Sequence, residues 1–206
     1  VKPGKIIIIS SPSGGGKTTI TRELLRRHRA DNWRFSISAT TRPRRAGDPN
    51  DREGKDYYFL TPAEFARMRT SGAFAESCRV HEHLYGTPCA ALDETVRKGG
   101  VILLDIDVKG AFKIRKKYPQ AGSIFILPPS KSELRKRLTA RGTETTAQLK
   151  VRRVRSVEEM QLYDKFDFTV INEDLDKAVN MVDYIILSLH TRKKNLDRER
   201  ISRIIG

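Results

Sequence analysis

The sequence predicts an α/β fold built on a mainly parallel sheet, with two polar excursions from that core. Three observations predict it. Short apolar runs rich in β-branched residues recur along the chain, apolar at successive positions as in strands buried on both faces. Helical patterns separate these runs, the alternation that builds a parallel sheet. The first run leads straight into a glycine-rich turn and then a helical pattern.

In chain order, Lys5-Ile6-Ile7-Ile8-Ile9 reads as a fully buried strand, followed by the Gly14-Gly15-Gly16 turn. Lys17 to Arg29 follows as a helix, because Ile20, Leu24 and Leu25 fall at helical spacing. Val101 to Ile106, Ser123 to Leu127 and Phe168 to Ile171 are three further buried strands, the third run of the four stopped by Pro128-Pro129. The stretch from Phe35 to Cys89 has little simple periodicity. Within it, Thr61-Pro62-Ala63-Glu64 is a capping box with proline at the first helical position. Ser130 to Met160 opens on another capping box, Ser130 to Glu133, and a second helix can start near Thr145 to Gln148. No internal repeat or low-complexity linker divides the chain.

The 206 residues carry a formal net charge of +15, so an anionic partner or a well-solvated surface is needed. Nucleic acid and nucleotide phosphates are the two partner classes, and composition does not choose between them. No apolar run reaches the roughly 18 residues of a membrane span. The start, Val1 to Gly4, lacks the apolar stretch of a signal peptide, and a cytoplasmic location is expected. Two cysteines, Cys78 and Cys89, are too few for a disulfide framework or a four-ligand zinc site. His81, Glu82 and His83 read as a solvated loop, since no further ligand stands at metal spacing.

Ser10 to Thr19 reads S-S-P-S-G-G-G-K-T-T. Against the phosphate-loop pattern G-x-x-x-x-G-K-[ST], Gly16, Lys17 and Thr18 fit while Ser11 takes the first glycine position. The physics survives that change. Three glycines let backbone N–H groups turn inward, the helix N-terminus adds partial positive charge, and Lys17 can bridge terminal phosphates. Asp105 closes a run of four apolar residues, as an acid does at the carboxyl end of a buried strand beside a ligand site, and with Thr18 it can contact a divalent cation. Arg42, Arg44 and Arg45, with hydroxyls before them and Tyr57 after, can clamp a second phosphate or form a solvated basic loop.

In order along the chain stand S-P-S-G-G-G-K-T-T, S-I-S-A-T-T-R-P-R-R-A-G-D, D-Y-Y-F, Glu76 ahead of L-Y-G-T, L-D-I-D-V-K-G, R-L-T-A-R-G-T-E-T and V-I-N-E-D. With this ordered set the chain resembles the guanylate kinase family over essentially its whole length. The resemblance implies a P-loop NTPase core at 1–34, 91–129 and 161–206, a GMP-binding subdomain at 35–90 and a helical lid at 130–160. It implies transfer of the ATP γ-phosphoryl group to GMP or dGMP with Mg²⁺. Ser11, Pro12, Ser13, Gly14, Gly15, Gly16, Lys17 and Thr18 would bind ATP, with Asn172 beside its adenine, and Thr18 and Asp105 would hold the metal. Ser38, Arg42, Arg45 and Tyr57 would hold the GMP phosphate. Glu76 and Thr87 would read guanine, with Tyr85 and Asp107 close by. Lys17, Arg45, Arg137, Arg141 and Arg152 would be catalytic.

The chain departs from the family pattern in three places. Pro43-Arg44 reverses the usual order between the two arginines, the connection Asp48 to Gly54 is about three residues longer, and Lys109 replaces a common glutamine. A binding module of the same fold, a nucleic-acid-binding protein and a kinase for another monophosphate are the competing expectations. Intact Lys17, Thr18, Arg42 and Arg45 oppose the first. The absence of a basic stripe with interleaved aromatics opposes the second. Glu76 and Thr87 oppose the third.

Overall fold

A computed structural model describes residues 4–45, 47, 51–80, 82–139, 146–189 and 202, with the backbone alone for 146–151. Among these residues the chain runs β1 (Lys5–Ser10), α1 (Lys17–Arg27), β2 (Trp33–Phe35), β3 (Ser38–Thr40), β4 (Tyr57–Phe59), α2 (Pro62–Thr70), β5 (Phe74–Val80), β6 (His83–Pro88) and α3 (Cys89–Arg97). It continues with β7 (Val101–Asp105), α4 (Val108–Lys117), β8 (Gly122–Leu127), α5 (Lys131–Thr139), α6 (Thr146–Met160), β9 (Phe168–Ile171) and α7 (Leu175–Ser188).

The strands form two sheets. In the larger, ordered β2-β7-β1-β8-β9, every neighbouring pair is parallel. Its central strand β1 is buried along its whole length, which explains why the sequence there is apolar at successive positions rather than alternating. Alternate side chains serve opposite layers. Ile7, Ile9 and Leu103 pack with Ile20 and Leu24 of α1 and with Val179, Val182 and Ile186 of α7. Ile6, Ile8, Ile102 and Leu104 pack on the other face with Leu92 of α3 and with Val108, Ala111 and Ile114 of α4. The α/β core with a parallel sheet is therefore present as the apolar runs predict.

The smaller sheet, ordered β4-β3-β6-β5, is built from the stretch that shows no periodicity. Its β3, β4 and the core strand β2 are only three residues long, too short for alternation to register. A separate cluster of Ala39, Phe65 and Phe74 holds α2 to this sheet, the two rings 4.6 Å apart. Both bonds of the expected Thr61–Glu64 capping box are made. At the second expected box, Ser130 Oγ accepts from the Glu133 N–H at 3.1 Å, but Glu133 Oε1 accepts from Arg137 Nε at 3.0 Å instead of closing the reciprocal bond onto the helix start.

Other boundaries shift slightly. α1 stops at Arg27, not Arg29, because His28 leaves the helix and stacks on Trp33, rings 3.8 Å apart, with its ring nitrogens against Asp31 and Asp183. Trp33 is half-buried and packs against the core. β7 ends at Asp105, and the chain turns so that Asp107 caps α4, its Oδ1 accepting from Gly110 N–H at 2.7 Å. Among the described residues no helix is long and apolar enough to cross a membrane.

Leu103 is wholly buried where β7 meets α1. Leu103→Ala is expected to destabilise the protein by about 2–5 kcal/mol, since the surrounding sheet cannot collapse into the cavity. Denaturant unfolding with an unchanged m-value checks this.

Candidate active site

The glycine-rich loop leaves the carboxyl end of β1 and enters α1 at Gly16, whose φ of +96° favours glycine. A side chain there would also collide with the Asn172 amide. Ser11 at the first loop position is accommodated by Gly15, where an added Cβ would lie 2.7 Å from the Ser11 Cβ. The loop therefore tolerates serine because its neighbour has no side chain. Asn172, at the end of β9, is buried and donates from Nδ2 to the Gly15 carbonyl at 3.0 Å. Its side chain pins the loop backbone, a role the sequence comparison with adenine-side residues does not anticipate.

Lys17 and Thr18 begin α1 and meet Asp105. Parallel pairing sets Ile9 beside Asp105, so the acid arrives at the root of the loop. Thr18 Oγ1 donates to Asp105 Oδ2 at 2.5 Å, and Lys17 Nζ lies 3.5 Å from Asp105 Oδ1. Among the described residues no group of three or more His, Cys, Asp or Glu side chains converges as a metal site. A hydroxyl and a carboxylate beside a phosphate loop are nonetheless the hard oxygen donors that suit Mg²⁺, which takes one or two protein ligands and fills its remaining positions with phosphate oxygens and water.

An arginine of α6 reaches the same loop, and one of α5 reaches Asn172 beside it. Arg152 Nε donates to Ser13 Oγ at 2.6 Å, and Arg137 Nη2 donates to the Asn172 carbonyl at 3.3 Å. Arg141 lies outside the described residues. Arg137 and Asn172, with Gly14, Gly16, Thr19 and Leu175, wall a depression of about 440 Å³ next to the loop. Glu159 of α6 also belongs here. It feels Lys17 and Asp107, accepts from the Ser13 backbone, and burial pushes its carboxyl above the usual range. No motif marks it in the sequence, because its burial depends on α6 lying over the loop.

The second half of the cleft comes from the smaller sheet. Glu76 on β5 and Thr87 on β6 are cross-strand partners, both buried, and Thr87 Oγ1 donates to Glu76 Oε1 at 2.9 Å. Glu76 Oε2 is buried with no protein partner. Burial pushes this carboxyl above its ordinary value, only partly offset by the Thr87 hydroxyl and the Lys113 charge. Gly110 of α4 approaches that oxygen closely, an added Cβ there standing in contact at 3.6 Å. Asp107 is close enough for its charge to act on Glu76.

Ser38 opens β3 in register with Tyr57 of β4. Tyr57 meets Tyr85 edge-on, ring centroids 6.1 Å apart. The Arg42 guanidinium lies 5.4 Å from the Tyr57 ring centre and 5.5 Å from that of Phe59. Arg45 follows on the same loop, its N–H donating to Asp51 Oδ2 at 2.9 Å. The two halves face each other across the end of β7. Asp105 acts on Tyr57 from one side, and Asp107 on Glu76 from the other. A glycine-rich loop, the Arg42 cluster and a buried, half-satisfied carboxyl thus lie around the end of β7.

A family model described as guanylate kinase matches residues 3–189. The chain is 42% identical over 200 residues to a guanylate kinase of Thermotoga maritima, covering 97% of this chain and 94% of that protein. It is 43% identical over 184 residues to one of Prochlorococcus marinus, covering 89% and 97%. Among solved structures, the crystal structure of guanylate kinase from Anaplasma phagocytophilum matches with a TM-score of 0.76 at 32% identity, over 95% of this chain and 90% of that one.

Asn172→Ala would leave the buried Gly15 carbonyl without its donor, at a cost of about 1–3 kcal/mol. Thermal unfolding should show the loss, and added ATP should restore less stability to the variant than to the wild type.

Proposed function

The chain belongs to the guanylate kinase family, and we propose that it transfers the γ-phosphoryl group of ATP to GMP, or dGMP, giving ADP and GDP in a Mg²⁺-dependent reaction. Membership makes it a nucleoside monophosphate kinase, a phosphotransferase. A cytoplasmic setting and a place in purine nucleotide metabolism are part of the same reading.

The observation that carries the guanine assignment is the buried Glu76–Thr87 pair with its unpartnered oxygen. Guanine offers N1–H and N2–H₂ as donors to a carboxylate, whereas adenine has no N1–H and would leave Glu76 unsatisfied. Such a mismatch costs about 1–3 kcal/mol for each unpaired buried group, so discrimination follows from the pair itself. In this reading Arg42, Arg45, Tyr57 and Ser38 take the GMP phosphate. Tyr85 and Asp107 border the base. The loop from Ser11 to Thr18 takes the ATP phosphates, and the ATP base lies in the depression beside Asn172.

The acceptor is a phosphate oxygen already anionic at neutral pH, so no general base is needed. Catalysis rests on alignment and on neutralising charge. Lys17 lies at the loop mouth, Arg152 of α6 reaches the same loop, and Arg137 of α5 reaches Asn172 beside it. With Arg45 from the acceptor side, and Arg141 as the family pattern implies, they surround the transferring group with positive charge. Thr18 and Asp105 would hold Mg²⁺, whose chemistry when bound is to neutralise phosphate oxygens. Closure of α5 and α6 over the loop would exclude water and suppress ATP hydrolysis.

ADP release with ATP, Mg²⁺ and each of GMP, dGMP, AMP, CMP and UMP tests the assignment. GMP should be the best acceptor; faster turnover with AMP overturns the guanine reading. Lys17→Ala should lose turnover by orders of magnitude with its melting temperature little changed. A pH series gives a second check. Burial raises the Glu76 carboxyl, and guanine is bound by its charged form, so KM for GMP should rise as pH falls through that raised value. It should level off above it, and KM for ATP should not follow. The GMP phosphate itself titrates near pH 6. Glu76→Gln keeps that titration and should show the residual slope alone.

A further inference from the structure

We propose that Asp51 is a positioning residue that selects which edge of the Arg42 guanidinium is presented to the acceptor phosphate. The inference rests on the reading of Arg42 as a ligand of the GMP phosphate. Asp51 lies in the longer connection yet is only 2% exposed. Its Oδ2 accepts from Arg42 Nη1 and its Oδ1 from Arg42 Nη2, each at 2.6 Å. Oδ2 also accepts from the Arg45 backbone N–H at 2.9 Å, so one carboxylate ties the Arg42 side chain to the Arg45 backbone.

Guanidinium chemistry gives this bond its consequence. The group carries five N–H donors in a planar fork and has two edges that can bind an oxyanion bidentately. Asp51 takes one hydrogen from each Nη, and the Pro43 carbonyl takes the other from Nη1 at 3.0 Å. What remains is Nε–H with the second Nη2 hydrogen, which lie along one edge. That edge is the one left for an oxyanion. Tyr85, two residues before Thr87 on β6, is close enough for its hydroxyl to act on the same guanidinium. Tyr57 and Phe59 flank the guanidinium and limit its rotation. The Arg42 hydrogen bond holds the Asp51 carboxyl down at about 2, so the clamp stays charged at any working pH.

The test compares wild type, Asp51→Asn, Asp51→Glu, Arg42→Ala and the Arg42→Ala/Asp51→Asn double variant, using steady-state kinetics at saturating ATP and calorimetric titration with GMP and with guanosine. Asp51→Asn should raise KM for GMP about tenfold, the worth of one charge-assisted contact to the phosphate. Its kcat should stay within about twofold, since chemistry proceeds normally once GMP is bound. Guanosine affinity should not change, because the base pocket is untouched. Asp51→Glu should recover part of the loss, and the double variant should be no worse than Arg42→Ala alone.

Equal or tighter GMP binding by Asp51→Asn overturns the inference, tighter binding marking Asp51 as a competitor for the fork. Additive losses in the double variant, or an equal loss of guanosine affinity, overturn it too. If Asp51→Asn does not fold, Asp51→Glu decides: a raised KM for GMP with unchanged guanosine affinity supports the inference, and an unchanged KM overturns it. A wild type that turns over ATP with AMP but not GMP overturns the parent reading, a result distinct from any of these.

Discussion

Parallel pairing of β1 with β7 fixes what the cleft can be. Because Ile9 stands beside Asp105, the strand that launches the phosphate loop and the strand that carries the acid end at one level. Loop amides, the α1 N-terminus and Lys17 then supply positive charge where Asp105 supplies negative charge. The chain beyond Asp105 needs only two more residues to deliver Asp107 toward the smaller sheet. A slip of one residue in that register would turn Asp105 toward a helix layer and Leu104 toward the loop. Both flanking layers oppose this, since every alternate side chain of β1 and β7 is committed to one of two cores.

The smaller sheet solves a different electrostatic problem. It holds a carboxyl with one oxygen unpaired, and a guanidinium already engaged along one edge. In each case a group is partly satisfied by the protein and partly left for a ligand. Glu76 is tethered by Thr87 across the strands, Arg42 by Asp51 across the loop. Each tether fixes orientation without exhausting hydrogen-bonding capacity, which is what preorganisation requires.

Legibility in the sequence followed burial symmetry. β1, β7 and β8 were plain because strands covered on both faces read as continuous apolar runs, whereas β9, expected to be buried, is an edge strand with Thr169 and Ile171 exposed and only Val170 buried. The phosphate loop was plain because its glycines and lysine are adjacent in the chain. The smaller sheet was not, since three-residue strands such as β3 and β4 owe their existence to partners distant in sequence. Glu76 alone resembles a surface acid, and its burial comes from β6 and α4 together. Asp51 was hidden among other acids in a polar loop, although three arginines nearby were themselves a signal that an internal counter-charge was needed. Asn172 stands in a recognisable motif, but its bond to Gly15 depends on the fold that brings β9 to the loop.

That bond spans 157 residues and ties the loop to the end of β9. A nascent chain emerging from the ribosome makes the loop residues well before the residue that holds them. At ordinary synthesis rates of about 5–20 residues per second, the interval is on the order of ten seconds. β1 waits as well, because both of its neighbours, β7 and β8, are translated after residue 100. The loop is therefore fastened only after β9 has been made. Fragments ending before β9 lack the residue that fastens the loop, however complete their motif.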